Sequence, residues 1–152
     1  MKKSFILIFF LLYPNFVFSE ILRPTPNLKP NEVISIQLNA LKNNNDPHVN
    51  AGIKQTWEFA HPSNKLYTGP LSNFIKMMHS DSYSIMIKHK KHNIHLVEQG
   101  MSISFFLVEL VDKTGNKFGL QWIVEKVLLE GELKNCWMTI SVSQAVLIAK
   151  LA

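Results

Sequence analysis

The stretch from Ser102 to Leu129 limits what this chain can become more than any other. Ile103-Ser104-Phe105-Phe106-Leu107-Val108-Glu109-Leu110-Val111 is rich in β-branched and aromatic residues, and so is the run from Phe118 to Leu129. Between them, Asp112-Lys113-Thr114-Gly115-Asn116 carries a glycine among turn formers, which predicts two long antiparallel strands joined by a tight hairpin. On the returning arm Phe118, Leu120, Trp122 and Val124 share one face, while Gly119, Gln121 and Glu125 fall on the other. That is the period of a half-buried strand. The outgoing arm differs. Phe106, Val108 and Leu110 occupy one face, and Ile103, Phe105, Leu107 and Val111 the other, interrupted only by Glu109. A strand apolar on both sides needs cover on both. The pattern predicts a homodimer through the face of Ile103, Phe105 and Leu107, or a sharp bend by which the strand's residues change sides.

The N-terminus reads as an address. Met1-Lys2-Lys3 is a basic start, Phe5 to Tyr13 an apolar run, Pro14-Asn15 a break, and Val17 and Ser19 are suitably small before Glu20. This predicts a signal peptide over residues 1–19 and a product exported to the periplasm or secreted. The apolar run is short of the ~20 residues a spanning helix needs, and no later stretch is long and apolar enough to span a membrane. Removing Lys2 and Lys3 lowers the formal charge from +5 to +3, mild enough to tolerate anionic partners without demanding any. The single Cys136 rules out an internal disulfide, so an exported domain must rely on its core, in which Cys136 reads as a small buried hydrophobe.

The mature chain reads as one domain. Residues 20–29, with Arg23-Pro24-Thr25-Pro26, form an extended linker, and residues 30–152 the folded unit. Pro30-Asn31-Glu32 opens a helix whose apolar rows are Val33, Ile36, Ala40 and Ile34, Leu38, Leu41. Asn43-Asn44-Asn45-Asp46-Pro47 ends it. A second helix covers about Val49 to Ala60, stopped by His61-Pro62-Ser63-Asn64. Lys65-Leu66-Tyr67 reads as extended, and a third helix starts near Pro70 and ends near His79-Ser80-Asp81. Strands follow at Tyr83 to Lys88, Ile94 to Gln99, the two hairpin arms and Cys136 to Val142, with Ser143 to Ala152 as a short helix or a frayed end. Helices gathered before a run of strands predict an α+β domain, its N-terminal helices packed in a curved, cone-like antiparallel sheet.

The order of elements resembles the nuclear-transport-factor-two-like (SnoaL-like, cystatin-related) cone, in which a bent sheet wraps helices around a pocket. Gly52-Ile53-Lys54-Gln55-Thr56-Trp57-Glu58-Phe59-Ala60-His61-Pro62, Thr68-Gly69-Pro70-Leu71-Ser72-Asn73-Phe74, Tyr83 to His89 and Cys136-Trp137-Met138-Thr139 are similar to the family called domain of unknown function 4864. The resemblance covers nearly all of the chain from about Asn31 and implies the fold. It implies no activity.

Candidate chemistry is sparse. His89-Lys90-Lys91-His92-Asn93-Ile94-His95 suggests a metal site, but on a strand His89 and His95 share a face while His92 points away. No Asp, Glu or Cys within the run completes a tetrahedral set, so no metal is assigned and the run reads as a solvated basic turn. Lys90 and Lys91 without interleaved aromatics make a poor nucleic-acid surface. His61, read at a helix C-terminus, could join Asp81 and Tyr83 in acid–base chemistry, though nothing in the spacing makes the three converge. Trp57, His61, Tyr67 and Trp122 are the candidate ligand contacts. No nucleophile elbow, P-loop, dinucleotide fingerprint or His-Glu-x-x-His motif is present, and no cofactor is assigned. The sequence points first to a non-catalytic domain binding a small apolar or anionic ligand or a protein. A cofactor-free isomerase or hydrolase of the same fold, and a homodimeric scaffold, are the alternatives.

Overall fold

Hydrogen bonding runs unbroken along the hairpin in the computed structural model, which describes residues 20–150; the expected signal peptide lies outside the described residues. Strand β1 spans Lys91–Gln99, β2 Ile103–Val111, β3 Lys117–Lys126, β4 Trp137–Val142 and β5 Val146–Ala149. Every residue from Ile103 to Val111 faces a partner between Glu125 and Lys117, so the two arms match without a slip. The turn is fixed by Asp112, whose Oδ1 accepts from the backbone N–H groups of Thr114 and Asn116 and from the Thr114 hydroxyl. All pairings are antiparallel, in the order β1-β2-β3-β4. Strand β5 pairs with the first residues of β3, beyond the end of β4, so β4 and β5 lie one after the other along the same edge.

The described residues are therefore α+β, with an open antiparallel sheet of five strands and four α-helices among them. Helix α1 is Pro30–Lys42, α2 Ala51–Glu58, α3 Pro62–Thr68 and α4 Leu71–Met78. Proline suits the first turn of α1, and Glu32 Oε2 accepts from the Lys29 N–H at 2.6 Å. Asn44 is buried and starts α2 from across the loop. Its carbonyl accepts from Gly52 N–H and its Oδ1 from Ile53 N–H, each at 2.9 Å. The core lies between helices and sheet. Val33, Ile34, Leu38 and Leu41 of α1 meet Phe106, Val108 and Leu110 of β2 and Leu120, Trp122 and Val124 of β3. A second cluster, Val127, Cys136 and Met138 with Leu133, seals the β3–β4 connection, and Cys136 is a free, buried thiol whose pKa burial raises.

Four expectations are corrected. Lys65-Leu66-Tyr67 is helical within α3, because Pro62 sits at its first position and the His61 side chain accepts from Ser63 N–H. Tyr83 to Lys88 is no strand: Met86 and Ile87 N–H groups bond Tyr83 and Ser84 carbonyls, giving a 3-10 turn at Ser84–Met86. β1 begins at Lys91, three residues before the expected Ile94, because Lys91, His92 and Asn93 pair with Val111, Leu110 and Glu109. Residues 146–149 extend the sheet rather than forming a helix or fraying. The linker is also tied down, since Leu22 exchanges two 2.8 Å hydrogen bonds with the Gln55 side chain.

Candidate functional site

Between the helices and β3–β4 lies a cavity of about 410 Å³, within the size range of small-molecule sites. Its lining contains no Asp, Glu, Lys, Arg or His. Met77, Met78, Met86 and Phe74 supply apolar wall, with Tyr67 and Tyr83 beside them. The inner side is polar and already organised. Trp122 Nε1–H donates to Thr139 Oγ1 at 3.0 Å, and Thr139 Oγ1 donates to Gln37 Oε1 at 2.5 Å. Gln37 Nε2 donates to the Thr56 carbonyl at 3.1 Å, and Thr56 Oγ1 to the Gly52 carbonyl at 2.8 Å. Strands β3 and β4, helix α1 and helix α2 each contribute one member, so the chain of bonds locks the layers together. One N–H of the Gln37 amide is left over from these bonds, and an amide has two.

β4 presents Thr139 inward because of its register. Thr139 stands opposite Val124 and Val142 opposite Trp122, with Ile140 as a surplus residue between them. Both therefore share the inner face although they lie three positions apart. The free edge of β4 is capped by the α2–α3 junction: Thr139 N–H donates to the Phe59 carbonyl and His61 N–H to the Thr139 carbonyl, both at 2.8 Å.

The residues nominated from sequence are divided by this geometry. Tyr67, Tyr83 and Trp122 line the cavity. Trp57, His61 and Asp81 do not. Trp57 packs its ring on Phe74 with centroids 5.1 Å apart and carries the Lys65 ammonium over its face. Asp81 is exposed in the turn after α4. His61 is buried, and it opens α3 rather than closing α2. Its Nδ1 accepts from Ser63 N–H, which places the ring proton on Nε2, and Nε2 has no partner among the described residues. Burial pulls its pKa down, against the pull of the Glu125 carboxylate upward, so the protonated imidazole expected at a helix C-terminus is not what this position favours.

The histidine run is also rearranged. Lys88 adopts a left-handed φ of 57°, which turns His89 out of strand parity and under the sheet. His89 is 2% exposed, donates from Nδ1 to the Met86 carbonyl at 2.7 Å, and accepts at Nε2 from His92 Nδ1 at 2.7 Å. Desolvation lowers its pKa to about 4, and that of His92 moves the same way. His89 is thus buried and neutral, hydrogen-bonded to a half-buried His92, rather than part of a solvated basic turn. His95 lies on the opposite face and reaches Glu109 at 3.3 Å. Among the described residues no group of three or more His, Cys, Asp or Glu could hold a metal.

Gln37, Thr56 and Thr139 escaped the sequence reading. Gln37 carried a signal, because it is polar yet sits between Ile34 and Leu41 on the buried side of α1. Comparison with known proteins finds no family model, no curated protein and no solved structure that matches this chain. Among the described residues no helix is long and apolar enough to cross a membrane.

Proposed function

We propose that this is an exported, non-catalytic binding domain whose inner cavity takes a small, uncharged, largely apolar molecule carrying one hydrogen-bonding oxygen. The observation that carries this reading is the lining: methionine and aromatic wall on one side, hydroxyl and amide groups on the other, no ionised group, and an unspent amide N–H at Gln37. An anionic ligand would give up hydration with no cation to compensate it, which disfavours the anionic alternative. Methionine walls adapt to irregular ligands at little cost. The basic start and short apolar run of residues 1–19 support export. The curved, cone-like arrangement of the nuclear-transport-factor-two-like resemblance belongs to the same reading, with the sheet and α1 as its walls. The isomerase or hydrolase alternative receives no support from placement, since of His61, Asp81 and Tyr83 only Tyr83 meets the cavity.

The test uses a neutral fluorescent probe, N-phenyl-1-naphthylamine, with decanol and decanoate as competitors of equal length. Decanol displaces the probe at a concentration at least about tenfold lower than decanoate, the ratio that a 1.4 kcal/mol penalty for the charge imposes. Met77→Trp, which narrows the cavity at its methionine wall, weakens probe binding. Equal displacement by the two competitors, or probe affinity unchanged by Met77→Trp, overturns the proposal.

A further inference from the structure

The outer face of the sheet is a different surface, and its pattern is ordered along the strands. His95, Leu107 and Gln121 stand side by side in register across β1, β2 and β3. On one side of this row lie Lys91 and Lys117, with Glu109 of β2 between them and the row, and on the other Glu98 and Glu125. On β2 and β3 the row sits midway, since Leu107 is the central residue of β2 and Gln121 is four residues from both Lys117 and Glu125. On β1 Lys91 stands opposite Val111, four positions from the row, and Glu98, past the surplus Val97, opposite Phe105, two positions from it. Apolar Phe105, Leu107 and Ile123 fill the middle, and Leu107 is 40% exposed. All four helices are on the other side of the sheet, and the second core cluster covers only the corner beside Met138.

We infer that this face binds a second copy of the chain, packed face to face about a two-fold axis that runs along the His95–Leu107–Gln121 row. Such an axis reverses strand direction between the copies. It lays Lys117 of each face over Glu125 of the other in register, brings Lys91 two residues beyond Glu98, a gap that a lysine side chain spans, and sets Leu107 against Leu107. An axis parallel to the strands would instead stack lysine on lysine, which like-charge repulsion opposes. Lys117 already bridges Glu109 at 2.7 Å, so Lys91 and Glu98 carry more of the complementarity. Strands of nine residues and four rows about 4.8 Å apart give roughly 600 Å² per copy, or about 1,200 Å² for the pair, at the lower end of the range of specific interfaces.

Sedimentation equilibrium of residues 20–152 is expected to give twice the chain mass at micromolar concentration. Leu107→Lys raises the dissociation constant at least about 100-fold while circular dichroism stays unchanged, because it strips the centre of the interface at an exposed position. Lys91→Glu and Glu98→Lys each weaken the dimer about three- to tenfold, and the two combined in one chain restore it. A monomer at millimolar concentration overturns the inference, as does a dimer indifferent to Leu107→Lys. Failure of the combined reversal to restore association overturns the stated axis. Phenylnaphthylamine binding, measured alongside, is unaffected by these variants and keeps this outcome separate from that of the cavity.

Discussion

Trp122 and Gln121 are neighbours in sequence and belong to opposite surfaces. Inward from Trp122 there is an uncharged hollow held by hydrogen bonds, and outward from Gln121 a face graded from lysine to glutamate. The same two strands build both, because successive side chains leave a strand in opposite directions. What differs is the cover. The inner face has four helices over it, so any polar group there needs an internal partner, and Gln37, Thr56 and Thr139 supply them to one another. In the single chain the outer face meets solvent, so ionised residues stand on it at little desolvation cost. Alternation thus specifies where a side chain points, and the layer above decides which chemistry survives there.

The largest effect is expected at a glycine that packs α2 on α1. A Cβ on Gly52 would lie 2.0 Å from the Ala40 carbonyl oxygen, a backbone atom, so Gly52→Ala forces α1 and α2 apart. The expected loss is about 4 kcal/mol or more in urea denaturation, at the upper end of overpacking costs. Next comes the pair on β2. Leu110→Ala empties a fully buried position and costs about 3 kcal/mol. Leu107→Ala, measured at a dilution that keeps the chain monomeric, stays within about 0.5 kcal/mol. Equal losses would mean that the outer face is as covered as the inner one.

Acidity should separate the faces too. His89 has its folded-state pKa held at about 4, below the 6.5 of the free side chain, so the unfolded chain takes up the proton first. Stability is therefore full above pH 6.5 and declines as pH falls from 6.5 toward 4, by about 2 kcal/mol at pH 4.5. His61 and His92, both shifted down by burial, add in the same direction. Thermal melts between pH 7 and 4.5 should show this slope, and His89→Asn should flatten most of it. The smallest effect belongs to Gly119→Ala, whose new Cβ meets only the flexible tip of Ile148 at 3.0 Å. A loss below about 1 kcal/mol is expected there, seen as faster amide exchange in β5.

The hairpin was legible in the chain because both arms are rich in β-branched and aromatic residues, the returning arm alternates, and its turn has a glycine where one is needed. α1 was legible from its double apolar row. α3 was not, since none of its residues is buried and no stripe announces it; it is held by its proline start and by the junction against β4. Tyr83 to Lys88 alternates like a strand, yet the chain there closes its hydrogen bonds on itself. The same limit applies to the cavity. Aromatic lining residues such as Tyr67 and Trp122 could be nominated by type, whereas the Gln37–Thr139 contact joins residues far apart in sequence and exists only once α1 crosses β4. His89 meeting His92 depends on one left-handed residue that no spacing rule discloses.

The surplus residue in β4 has a practical meaning. Ser141 and Val142 keep their partners Ile123 and Trp122 whether or not Ile140 is present, since the ladder has no place for it. One wall of the hollow can therefore be shortened by a residue while every neighbouring strand stays as it is, which changes the volume of the hollow without rebuilding the domain.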